Sequence, residues 1–166
     1  MWLDKGADIM PSRKRTRKVI ATREFSNHVD ITDPCYSKTA IHRLNNIEIE
    51  PGKYECDIWI KREHYVSRIG IYLNGEIPNV KDMVPIGYIS VDAGLAGFFN
   101  SPKPDYALLS DTEWEEFCNN IDDENRATNI DDGFFSSSGY GDGRYTVFGY
   151  KKTENGPYTA LEIIFI

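Results

Sequence analysis

The stretch Tyr54-Glu55-Cys56-Asp57-Ile58-Trp59-Ile60 alternates Tyr54, Cys56, Ile58 and Ile60 with Glu55, Asp57 and Trp59. Successive side chains of a strand point to opposite faces, so a period of two predicts a strand with one face in a core and one turned outward. Pro51-Gly52 supplies a turn signal before it. Further along, Ile69, Ile71 and Leu73 alternate with Gly70 and Tyr72 and run into Asn74-Gly75, which reads as a second strand and a tight turn. Val19 to Phe25 reads as a further strand and His28 to Ile31 either extends it or starts the next, while Ile86 to Val91, Tyr145 to Tyr150 and Ala160 to Ile166 also read as strands, the last two forming a hairpin about Asn155-Gly156-Pro157. Asp33-Pro34 ends the second of these, because proline lacks a donor and restricts the residue before it.

One segment has helical spacing. Ser110 and Glu113 form a capping box, and Trp114, Phe117, Cys118 and Ile121 follow at i, i+3, i+4 and i+7. The spacing predicts a helix over Asp111 to Ile121 with its apolar stripe in the core. Asp122 to Asp132 reads as a polar loop, and Phe134-Phe135 as the lead into a second loop, Ser136 to Gly143. The fold expected is mainly β, an antiparallel β-sandwich or half-barrel with one or two short helices. The expected organisation is a basic N-terminal arm, residues 1–17, and a single mainly-β domain, residues 18–166.

At 166 residues the chain can bury a core without staples. Cys35, Cys56 and Cys118 are odd in number and lack a C-x-x-C pair, which argues against a disulfide framework or a zinc knuckle and for three small buried hydrophobes. No apolar run approaches the roughly 18 residues of a membrane span, and no apolar stretch follows the basic run to make a secretory signal. A cytoplasmic protein without membrane association is the expectation. The net charge of −7 divides into +2 over residues 1–80 and −9 over residues 81–166. Arg13, Lys14, Arg15, Arg17 and Lys18 make the N-terminus basic, and the stretch Asp111 to Asp132 is acidic. Such polarity steers partners. Glu115, Glu116, Asp122, Asp123 and Glu124 are the candidate contacts for a basic protein partner. The negative total opposes phosphate, so direct nucleic-acid binding is not expected, although Trp59, Tyr54, Tyr65 and Tyr72 are read as a potential base-stacking platform. A homo-oligomer is compatible with the sequence.

Two Gly/Asp loops draw attention. In the first, Asp92 ends a strand and opens the small-residue turn Ala93-Gly94. In the second, Gly139, Gly141 and Gly143 frame Tyr140 and Asp142 ahead of Arg144. Either loop can be a plain turn, Asp92 then accepting backbone N–H groups. The functional reading takes Asp92, Gly94, Gly139, Tyr140, Gly141, Asp142 and Arg144 as a ligand site, with Asp33 converging on it. Such carboxylates can do acid/base work, hold a hard cation or accept from a hydroxyl. No P-loop Lys-Ser/Thr, no G-x-S-x-G and no spaced pair among His28, His42 and His64 is present, so no catalytic residue, metal or cofactor is assigned. Cys35 is a remote candidate nucleophile.

Three stretches also carry a resemblance. Asp33-Pro34 followed by Ile49-Glu50-Pro51-Gly52-Lys53-Tyr54, then Gly87 to Gly94 running on to Gly97-Phe98-Phe99, then Ser138 to Tyr145, are similar in order and spacing to a bacterial and phage family catalogued as domain of unknown function 4241. The resemblance spans residues 29–166. It implies a mainly-β domain and brings no activity, cofactor or catalytic residue. The functional expectation is a non-catalytic binding protein, acting as a phage or bacterial inhibitor on a host protein or sequestering a small polar ligand. The competing expectation is a small hydrolase-like enzyme that uses Asp92 and Asp142.

Overall fold

In the computed structural model the described residues are 15–37, 39–61, 65–106, 109–119, 121 and 126–165. They form eleven strands and one α-helix: β1 (Arg15–Phe25), β2 (His28–Thr32), β3 (Leu44–Glu48), β4 (Gly52–Lys61), β5 (Tyr65–Leu73), β6 (Val84–Val91), β7 (Leu95–Asn100), α1 (Asp111–Cys118), β8 (Ala127–Ile130), β9 (Gly133–Ser137), β10 (Gly143–Lys151) and β11 (Tyr158–Ile164). A short 3-10 turn, Val80–Asp82, precedes β6. The strands pair antiparallel in two sheets. The first has the order β1-β4-β5-β11-β10-β6 and the second β3-β2-β7-β9-β8. This is the mainly-β sandwich with a short helix that the alternation and turn signals imply. Among the described residues no helix is long and apolar enough to cross a membrane.

The core lies between the sheets. Tyr54, Cys56, Ile58, Ile69, Ile71, Leu161 and Ile163 of the six-stranded sheet meet Val29, Ile31, Ala96, Phe98 and Phe134 of the other. The period of two in β4 thus decides which face enters the sandwich, and Glu55, Asp57 and Trp59 take the outer face. A second apolar cluster forms on the outside of the five-stranded sheet, where Phe99 and Phe135 meet Tyr106 and Phe117. The Phe98-Phe99 and Phe134-Phe135 doublets therefore put one ring on each side of that sheet. Gly97 makes this packing possible, since a Cβ there would collide with the Phe134 carbonyl and the Phe135 backbone.

Helix α1 begins as the capping box requires. Ser110 Oγ accepts the Glu113 N–H at 3.2 Å, and Glu113 Oε1 accepts the Ser110 N–H at 3.0 Å. It stops at Cys118, short of the expected Ile121, because the Asn119 N–H closes the last helical bond onto Glu115 and Ile121 follows in a turn, bonded to Cys118. Trp114, Cys118 and Ile121 still pack against the second cluster. Four strands depart from the sequence reading. β3 and β7 were not distinguished, β8 lies inside the expected polar loop, and β9 takes the first part of the expected loop Ser136 to Gly143. At the other end, Arg15 to Arg17 belong to β1 and pair with Lys61, Ile60 and Trp59, so the strand starts inside the expected arm.

The stacking platform is not formed. Tyr54 points into the core, Tyr72 is fully buried on the opposite face, and the Arg68 guanidinium covers Trp59 with 4.7 Å between its carbon and the ring centroid. Cys56 alone of the three thiols is fully buried, while Cys35 and Cys118 are partly exposed.

Phe117 fixes the helix. Its ring stacks on Phe135 with centroids 4.9 Å apart and on Trp114 at 5.2 Å, and it touches Tyr106 at 4.6 Å. Phe117→Ala should cost about 3–5 kcal/mol, read from urea denaturation. An unchanged midpoint would mean that α1 contributes nothing to the folded domain.

Candidate functional site

Asp33 follows β2 and is fully buried. Its Oδ2 accepts the backbone N–H of Asp92 and of Ala93, both at 2.7 Å, and its Oδ1 accepts that of Cys35 at 2.8 Å. Asp33 is thus the backbone acceptor of this region, a role the sequence reading offered to Asp92. Burial raises the Asp33 carboxyl above its ordinary value, the three N–H bonds pull it back, and the nearby Asp92 charge pushes it up. With both oxygens bonded to backbone, it is an anchor for the turn between β6 and β7.

The two Gly/Asp loops meet. The Ser138 N–H donates to the Gly94 carbonyl at 3.0 Å, and Gly143 of β10 stands opposite Val91 of β6. Gly94 and Gly141 have φ of +69° and +105° with open space beside them, so these turns leave room where other residues would project a side chain. The second loop is closed by Ser138 Oγ and the Tyr145 hydroxyl, which donate to the Gly141 carbonyl at 2.6 and 2.7 Å.

Freed from the backbone role, the Asp92 carboxylate accepts the Tyr36 hydroxyl at 2.8 Å. Burial pushes the Tyr36 phenol up to about 12, with contributions from this bond and from the charges of Asp92, Asp33 and Asp142. Asp92 thus meets Tyr36, Asp33 holds the backbone beside it in a structural role, and Asp142 directly precedes Gly143, which pairs with Val91 next to Asp92. The register extends the surface. Arg144 lies opposite Ser90 and Thr146 opposite Tyr88. The Arg144 guanidinium lies 4.5 Å over the Tyr88 ring, which faces His42 at 5.6 Å. Tyr140, 68% exposed, leans on Tyr65 at 5.1 Å. Gly139 and Gly141 flank it. The result is an open rim with two exposed carboxylates, one stacked guanidinium and several aromatic rings.

Two buried charge networks were not foreseen. In the first, Asp30 accepts from Arg43 Nη2 at 3.1 Å, from the N–H groups of Asn46 and Lys103 at 2.9 Å each, and from Ser101 Oγ. Burial alone would raise its carboxyl, and these partners hold it below its ordinary value. Lys103 is buried over the rings of Tyr106 and Phe99, and burial lowers its amine to about 8. The second network covers the outer face of the six-stranded sheet. Asp57 and Glu162, 0% and 2% exposed, stand on either side of Gly70. Tyr72 lies over Gly70 and donates to Glu162 Oε2 at 2.6 Å, with Arg68 3.5 Å from the same oxygen. Arg17 joins Asp57 to Glu55 at 2.7 and 2.6 Å. Asp57 Oδ1, Glu162 Oε1, Trp59 Nε1 and Arg68 Nε are buried there without a hydrogen-bond partner. The signals available in the sequence were the acid in the apolar run Ala160 to Ile166 and a glycine in mid-strand at position 70.

The other expectations are quickly placed. Burial pushes the Cys35 thiol up to about 12, which suppresses the thiolate a nucleophile needs. Among the described residues no three of His, Cys, Asp and Glu come together to hold a metal. Glu115 and Glu116 are exposed on α1, and Asp122, Asp123 and Glu124 lie outside the described residues.

Two measurements test these assignments. Asp33→Ala leaves three N–H groups without their acceptor and should cost about 3 kcal/mol in urea denaturation, with Asp33→Asn falling between it and the native chain. Equal stability of all three would remove the anchor. For Asp57, burial raises the carboxyl, Arg17 pulls it back and Glu55 pushes it further, to about 7 from 3.8. The folded chain then holds this proton more tightly than the unfolded one. That contribution is complete below about pH 3.8 and is lost as pH rises through about 7. Asp57→Asn should therefore flatten the fall in stability between about pH 4 and pH 7, measured as about a few kcal/mol at most.

Comparison with protein-family models, with curated proteins and with solved structures finds no match to this chain.

Proposed function

We propose that the chain is a non-catalytic binding protein that takes a small polar ligand on the rim where its two Gly/Asp loops meet. The observation that carries the reading is the contact of Ser138 with Gly94, which with the pairing of Gly143 and Val91 brings the loop of Asp142 to the turn of Asp92 and its Tyr36 partner, Arg144 standing one register step along. Carboxylates accept from hydroxyl or ammonium groups, and a guanidinium held on a tyrosine face is ready for an anionic group. The exposed rings of Tyr88 and Tyr140 offer flat apolar contact beside them. Against the hydrolase reading stand two facts. The Asp92 carboxylate that it needs is bonded to the Tyr36 hydroxyl, and burial pushes the thiol of the neighbouring Cys35 up to about 12, away from a nucleophile's thiolate. The resemblance to the family catalogued as domain of unknown function 4241 belongs to the same proposal and adds no activity to it. Whether the natural partner is a metabolite or a loop of a host protein follows from what the rim retains.

The rim can be altered without dismantling it, because Asp33 holds the Asp92 backbone and not its side chain. Asp92→Asn and Asp142→Asn should each abolish retention of small molecules that copurify with the native chain, read by mass spectrometry of the extracted protein. Their melting temperatures should stay within about 2 °C of the native value, since surface substitutions seldom exceed roughly 0.5 kcal/mol. Loss of stability with retained binding would overturn the site, and turnover of a bound compound would favour the enzyme.

A further inference from the structure

At the other end of the six-stranded sheet, where β4 begins and β5 ends, lies a cleft of about 290 Å³. Among the described residues its lining is Thr22, Lys53, Glu55, Asn74 and Gly75. The pairing of β1 with β4 sets Thr22 opposite Glu55, and the Asn74 N–H donates to the Lys53 carbonyl at 2.9 Å, which draws the turn after β5 up to the rim. Tyr65, at the start of β5, meets Tyr140 of the Gly/Asp loops, so the whole length of β5 separates this cleft from those loops.

Glu55 is held in place. Arg17 Nη2 binds its Oε2 at 2.6 Å and, through Nε, binds Asp57 Oδ2 at 2.7 Å. One planar guanidinium thus clamps two carboxylates two residues apart on one strand face. The second Glu55 oxygen, Oε1, is left to face Gly75, standing 3.3 Å from where a Cβ at that position would lie. Behind it Asp57 is wholly buried, and its Oδ1 has no partner. Glu55 Oε1 thus stands at the cleft, against a wall where position 75 carries no side chain.

The lining chemistry narrows what can enter. Lys53 and Glu55 cancel in charge, so an anion meets a carboxylate and a cation meets an ammonium. Thr22 and Asn74 both donate and accept, Lys53 donates and Glu55 accepts. None of these five residues is aromatic. A hydroxyl group also donates and accepts, and the volume sits at the small end of ligand sites, roughly 300 Å³. We propose that this cleft binds a neutral hydroxylated small molecule of about monosaccharide size, with Glu55 Oε1 as the principal acceptor.

The test is an amide-resolved NMR titration of the full chain with glucose, galactose, mannose, ribose and myo-inositol, and separately with inorganic phosphate and ethanolamine. At least one neutral polyol should shift the amides of Thr22, Lys53, Asn74 and Gly75 saturably. Glu55→Gln should weaken that binding about tenfold or more, the usual loss when a charged acceptor is made neutral. Should Glu55→Gln disturb the fold through Arg17, Lys53→Ala and Asn74→Ala stand on the rim outside the clamp and should weaken the same titration. Saturation by phosphate or ethanolamine with none by the polyols would overturn the ligand class. No saturable shift with any probe, or equal binding by all three variants, would overturn the site.

Discussion

Three backbone N–H groups converge on one buried carboxylate, that of Asp33, and the geometry of the sandwich's open end depends on it. β6 belongs to the six-stranded sheet and β7 to the other, so the chain must cross between layers at Asp92-Ala93-Gly94. A crossing leaves backbone donors that neither sheet can pair, and buried unpaired donors are costly. Asp33 takes two of them and takes a third from its own segment at Cys35. With the turn so held, the Gly94 carbonyl faces Ser138, and the loop before β10 has a fixed support. The exposed carboxylate of Asp92 is free to meet Tyr36 only because the buried one does the holding. The same interaction therefore closes the fold and opens the surface on which we place the ligand.

Charge burial divides between the layers in two styles. Around Asp30 every partner is in place: Arg43, Ser101 and two backbone N–H groups surround a carboxylate whose Arg43 partner has a side chain only 1% exposed. Satisfied on all sides, such a pair can repay much of its desolvation and fix the path from β7 toward α1. Around Gly70 the balance is different. Arg17 and Arg68 face Glu55, Asp57 and Glu162, and two acceptor and two donor atoms stay without partners. A hydrophobic set of the same volume would hold these strands together at lower cost. The arrangement leaves these four polar atoms buried and unpaired on one sheet face.

The legible parts of the fold were those in which apolar and polar residues alternate along a strand or a turn or cap is spelled out in the letters. β4 carried that alternation in its letters, the β10–β11 hairpin carried its turn, and α1 carried its cap. β7 and β9 did not, because both faces of the five-stranded sheet are covered. Phe98 and Phe134 enter the sandwich while Phe99 and Phe135 enter the helix cluster, so the sequence has doublets and no period. β8 is only four residues, Ala127 to Ile130, inside a polar stretch, and it pairs with β9 alone. For the site, glycine and aspartate marked the right loops, but the division of labour between Asp33 and Asp92 turns on which side chain is buried, and that follows from packing. Glu55 and Asp57 read as solvated because alternation says only that they leave the core. It does not say that Tyr72, Arg68 and Arg17 cover the other face.

The sheet edges bear on where contacts with other molecules can form. An exposed strand edge invites another strand, and each edge here is blunted in its own way. β1 presents Arg17 and Lys18 and is irregular between Val19 and Ala21. β6 carries Pro85, its pairing shifts next to that residue, and its Ser90 N–H is taken by the His42 carbonyl. β3 has five residues with Asn46 at a φ of +54°. β8 has four, and Arg23 reaches across from β1 to bind the Ile130 carbonyl at 2.6 Å. Growth of either sheet by a further strand is thus opposed at all four edges among the described residues. Among the described residues, turns leave room beside carboxylates at the Asp92 and Asp142 rim and at the Glu55 cleft. They lie at opposite ends of one sheet, each with a buried acid beside a more accessible one: Asp33 beside the exposed Asp92, and Asp57 beside the half-buried Glu55.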